Sequence, residues 1–161
     1  MTVNLTMSGN LTSVQIGFSD TTKGIVGTTT NDSASAGYVG ELIDSSGTVS
    51  LTSGVSTNVT SISLTAGDWD VNGNVSFATS ANVGTQFIGW ISVTSASYPG
   101  NSVSAALSLS SGQPTSNGEF FNVPYRRYSL ASTTTIYLGA QATFSSGTCS
   151  VEGRILARRV R

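Results

Sequence analysis

The sequence predicts an all-β chain: an antiparallel β-sandwich of jelly-roll type, preceded by a short N-terminal β-hairpin. Three observations carry this. Val, Ile, Leu, Phe and Tyr are threaded singly among 28 Ser and 22 Thr, in a chain of 161 residues; this period-two texture suits half-buried strands. Gly/Ser/Asn clusters recur about every dozen residues, as turns do in sandwiches. Nowhere does an apolar period of 3.6 residues persist for three turns.

The elements follow in order. Val3, Leu5 and Met7 alternate before Ser8-Gly9-Asn10, and Leu11, Val14, Ile16 and Phe18 resume after it, which reads as a hairpin. The polar run Thr28–Gly37 is too small in side chain to build a core and reads as a linker. The predicted division is therefore a segment of residues 1–37 and a sandwich domain of residues 38–161. Within the domain, Tyr38–Ile43 enters, and apolar-rich runs follow near 48–55 and 58–65. Trp69, Val71, Gly73, Val75 and Phe77 alternate with Asp68, Asp70, Asn72, Asn74 and Ser76, so one face of that strand is expected inside and the other in water. Further strands are expected at 85–95, 102–110, 119–131, 133–144 and 148–160, giving eight or nine in all.

Composition excludes several chemistries. High Ser/Thr content can accompany disorder, but a chain that is 38% hydrophobic with a net charge of −1 has the apolar material for a core. The sequence has no histidine and one cysteine, Cys149. Imidazole acid/base chemistry, histidine metal ligation and an intrachain disulfide framework are thereby ruled out. Asp68-Trp69-Asp70-Val71-Asn72-Gly73 matches the first half of a calcium loop, yet position twelve is Thr79 where Glu is required and the flanks read as strand. Lys23 lacks the glycines of a phosphate loop, and the eight acids are scattered. No enzyme activity, metal or cofactor is expected.

Charge is unevenly placed: residues 1–125 carry a net −6, whereas residues 126–161 carry six Arg against Glu152, a net +5. The sequence pI of about 5.1 argues against nucleic acid as a partner. The basic C-terminal strand is instead expected to pair with acidic neighbours, in its own subunit or across an interface. No run approaches the length of a membrane span and the first residues do not form a secretory leader. Membrane insertion is not expected, and synthesis in a cytoplasm is.

Two strands are apolar in both phases, around Phe87–Ile91 and Ile136–Leu138. Such strands need a second cover, so Ile88, Trp90 and Tyr137 are candidates for an interface between subunits. Tyr98, Asn101, Tyr125, Arg126 and Tyr128 fall at strand ends or loops, where aromatic rings and polar groups suit a glycan.

Four stretches also carry a likeness: Ala36–Glu41, Asn58–Val71, Tyr128–Leu138 and Arg158–Arg161. Together they resemble a β-sandwich module of tailed-bacteriophage fibre and virion-surface proteins, over about residues 36–161. The resemblance implies a trimeric, non-enzymatic component of the virion surface, made in a host bacterial cytoplasm and partnered by a major capsid or tail protein. Long fibres set such modules behind extended shafts, whereas here only about 35 residues come first. Val3, Leu5, Leu11, Val14, Ile16 and Phe18 are then the candidate anchor. The alternative expectation is a receptor-binding tail tip that recognises a host surface glycan.

Overall fold

The computed structural model describes residues 29–80, 83–100, 104–114 and 119–161, with backbone alone at residues 80, 83–84 and 104–114. The predicted hairpin, its six anchor residues and Asn101 lie outside the described residues. The chain divides into two compact units, of which the second, Ser33–Arg161, holds the sandwich.

Eight strands make up this unit: β1 (Leu42–Leu51), β2 (Thr57–Leu64), β3 (Gly67–Ser80), β4 (Val83–Ser92), β5 (Ser104–Pro114), β6 (Glu119–Leu130), β7 (Thr134–Phe144) and β8 (Thr148–Arg159). Among the described residues there is no helix. One sheet has the order β1-β8-β3-β6 and the other β2-β7-β4-β5. Strands pair antiparallel as first with last, second with seventh, third with sixth and fourth with fifth. This is the order produced when a long antiparallel ribbon is rolled into two layers, and it makes the unit a jelly roll.

The inner faces follow the alternation in the sequence. Trp69, Val71, Val75 and Phe77 of β3 meet Phe87 and Ile91 of β4, Ile136 and Leu138 of β7, and Val151 and Ile155 of β8 in one core. Phe77 lies with its ring centroid 5.1 Å from that of Phe87 and 5.6 Å from that of Phe121. Cys149 is buried as a small thiol in β8, and desolvation raises its pKa.

Two details depart from the sequence reading. The runs expected at 38–43 and 48–55 belong to one strand, β1, with Tyr38–Gly40 in the turn before it. Gly47 lies inside this strand, where a side chain would run into the carbonyl oxygen of Val59 on the opposite sheet. The glycine thus permits close approach of two layers. In the edge strand β6, Pro124 sits at a register shift opposite β3, a place where a residue without an N–H breaks no regular ladder.

The double apolar phase of β4 is covered inside the chain. Phe87 and Ile91 face the core, while Ile88 and Trp90 point the other way and are nevertheless 4% and 0% exposed. The Trp90 indole lies over Gly139 of β7, where any Cβ would overlap the ring. It meets the Tyr98 ring edge-on with 5.5 Å between centroids. Ile88 and Trp90, expected at an interface between subunits, are thus already buried within the single chain. Tyr137 remains half-buried.

Candidate functional site

Charged side chains concentrate at one end of the sandwich, where β1 begins, the β2–β3 corner turns and β8 ends. Arg159 is the centre of it. Its register opposite Trp69 places it on the inner face of the sheet, and its guanidinium carbon lies 4.2 Å from the indole centroid. Nε donates to Glu41 at 2.9 Å, Nη1 to the Ala66 carbonyl at 2.9 Å, and Nη2 to the Thr65 hydroxyl. A buried guanidinium needs its fork satisfied on all sides, and here two strand ends and a sheet-to-sheet corner do it. Gly67 makes this possible: its φ is +136°, and a Cβ there would occupy the place of the guanidinium. Trp69 adds a bond from Nε1 to the Thr65 carbonyl at 2.9 Å.

Beside it on the outer face, Asp68 is 3% exposed; it accepts a hydrogen bond from Arg127 at 2.8 Å and forms an ion pair with Arg161 at 2.6 Å. The Arg127 hydrogen bond, then that of Ser129, pulls the Asp68 carboxyl below its ordinary pKa. The Gly37 N–H, 2.8 Å away, and then Arg159 do the same for Glu41. Asp70 accepts from the Tyr125 hydroxyl, and that bond raises the phenol pKa. The Asp68/Asp70 stretch that imitates a calcium loop is thus strand, with Asp68 Oδ2 held by Arg127 and Arg161 and Asp70 Oδ1 by Tyr125. Among the described residues no three Asp, Glu or Cys side chains converge as metal ligands would.

The C-terminal arginines pair within their own subunit: Arg159 with Glu41, Arg161 with Asp68, and Arg154 with Asp44. The four stretches singled out in the sequence meet at this same end. Glu41 comes from the first, Thr65, Ala66, Asp68 and Trp69 from the second, Tyr128 and Ser129 from the third through their register with Trp69 and Asp68, and Arg159 and Arg161 from the fourth. No single local pattern signals this knot, because its members are spread over more than a hundred residues of sequence.

The candidate glycan residues are not gathered into one platform. Tyr98 packs on Trp90 at the outer face of the second sheet. Tyr125, 59% exposed, stands on the outer face of the first. Arg126 and Tyr128 turn between the sheets, and both donate to the Ile91 carbonyl, at 3.1 and 3.3 Å. Burial raises the Tyr128 pKa.

Sequence reasoning passed over a different feature. The outer face of the first sheet holds a concavity of about 580 Å³, with Asp44, Asn74, Phe120, Glu152 and Arg154 in its wall. Its residues come from four strands, and no spacing within one strand announces them.

No family model and no curated protein matches the sequence. Among solved structures the chain is similar to capsid protein VP2 of infectious bursal disease virus. Its subviral particle matches at 14% identity and a TM-score of 0.43, over 74% of this chain and 32% of that one. The Gx strain structure matches at 14% identity and a TM-score of 0.46, over 84% and 37%. The D431N mutant VP2 in T=1 particles matches at 12% identity and a TM-score of 0.45, over 85% and 36%. The chain spans about a third of the length of these proteins.

Proposed function

We propose that this chain is a structural protein of a bacteriophage virion surface, a short trimeric fibre or decoration mounted on capsid or tail through its N-terminal segment, with the jelly roll facing outward. The observation that carries the reading is the knot around Arg159. The stretches that resemble the phage virion-surface module come together there as one packed unit, so the likeness follows the residues that close this fold and not composition alone. Jelly rolls of eight strands also recur in capsid and lectin domains. The role is non-enzymatic and needs no cofactor. Its partners are further copies of the chain and a major capsid or tail protein. Tyr38, Val39, Leu42 and Val160 are exposed and border the backbone bonds that join the β1 entrance to the end of β8, which supplies apolar surface for contact between copies.

The experiment is a comparison of virions carrying the whole chain with virions supplied with a chain lacking residues 1–30. The expected result is a folded, self-associated truncated protein that is absent from purified particles, while the whole chain appears as discrete projections in electron micrographs. Equal incorporation of both removes the anchor, and failure to find the whole chain in particles removes the virion role.

A further inference from the structure

We propose that the concavity on the outer face of the first sheet is a binding site for a neutral oligosaccharide. Strand register lines its residues up in two adjacent rows. Ser46, Arg154 and Asn74 stand side by side on β1, β8 and β3; in the next row Glu152, Ser76 and Phe120 stand side by side on β8, β3 and β6. Asp44 flanks the first row and accepts from Arg154 Nε at 3.0 Å and Nη2 at 2.7 Å.

Three properties select the ligand. Phe120 is 66% exposed at the rim, and an aromatic face in water offers an apolar platform to the C–H face of a pyranose. Around it a carboxylate, an amide, a guanidinium and hydroxyls present donors and acceptors, which a ring of hydroxyl groups can match from both sides. Charge then separates sugars: Asp44 neutralises Arg154, whereas Glu152 has no cationic partner among the described residues, so uronic, sialic or phosphorylated sugars meet like charge. A protein partner would want a contiguous apolar centre, and among the described residues of this wall Phe120 is the one large apolar side chain. At about 580 Å³ the hollow falls in the range of small-ligand sites, and strands hold its groups more firmly than loops would. The site stands apart from the virion reading, since it belongs to the isolated chain.

The test is a titration of the ¹⁵N-labelled whole chain with neutral di- to tetrasaccharides built from glucose, galactose, mannose, rhamnose and N-acetylglucosamine, alongside a uronic-acid disaccharide. Saturable shifts confined to residues 44–46, 74–76, 119–121 and 152–154 are expected with at least one neutral sugar, and none with the acidic one. Phe120→Ala should weaken that binding about tenfold, and Glu152→Gln should weaken it less while admitting the acidic sugar. Both positions are exposed, and circular dichroism checks that the variants keep the fold. Absence of saturable shifts with every neutral sugar, shifts centred near Tyr98 or Tyr125, or unchanged affinity in Phe120→Ala overturns the proposal.

Discussion

Gly139 and Arg159 show how single residues settle what their strands can do. Gly139 leaves the space that the Trp90 indole fills, so Gly139→Ala forces a large, fully buried ring to move. The expected loss is about 1–3 kcal/mol, as for other overpacked interiors, read as a lower urea midpoint with an unchanged slope. Arg159 is a different case, because its guanidinium is both ion partner and cover for Trp69. Arg159→Met keeps most of the apolar stem but strands the Glu41 carboxylate, at a cost of about 3 kcal/mol. Adding Glu41→Gln should recover part of this loss, and the double-mutant cycle over urea midpoints measures the coupling. Additive losses would show that the two side chains act separately. Cys149, buried and with a raised pKa, fills a place in the core.

The elements meet water through charge as well as through Ser and Thr. Glu41 leads into β1 and Asp68 opens β3, and both carboxyls titrate below their ordinary values because Gly37, Arg159, Arg127 and Ser129 stabilise the ionised form. A depressed folded pKa contributes stability that is present above the unfolded value and disappears as pH falls through the folded one. Thermal midpoints are therefore expected to be level from pH 7 to about 5 and to fall below about pH 4. The Glu41→Gln/Asp68→Asn variant should be less stable at pH 7 and fall less on acidification. A parallel fall in both proteins would assign the acid sensitivity elsewhere. Most elements were legible beforehand, since β3 alternates as strictly in the structure as in the sequence. Asp68 was the exception: its place in the polar phase predicts water, yet Arg127 and Arg161 reach across from β6 and from beyond β8 to bury it. Pairing partners more than fifty residues away leave no trace in a local pattern.

At the scale of the whole molecule, the rolled order brings Leu42 opposite Arg158 and leaves β1, β6, β2 and β5 as sheet edges. The exposed apolar residues Tyr38, Val39, Leu42 and Val160 make the entrance to β1 the expected contact between copies. Light scattering after size exclusion should give a trimer mass for the whole chain, and Tyr38→Ser/Val39→Ser should shift it toward monomer. A monomeric parent chain would remove the trimer, and an unshifted variant would move the contact elsewhere. Ile88 and Trp90, expected at an interface, are buried within the single chain: an apolar run in both phases shows that both faces are covered, but not by what. Here Trp90 is roofed within the chain by Tyr98.

The sequence by itself determined the class of the fold, the inward faces of its strands and the chemistries it lacks, because alternation and residue inventory are local properties. Only the tertiary structure decided which charges pair, which aromatics face water and where a concave surface forms. The jelly roll joins the first strand to the last and the third to the sixth, so the Arg-rich end of the chain finds Glu41 and Asp68, and Phe120 finds Glu152 and Arg154, through register across strands and not through nearness in sequence.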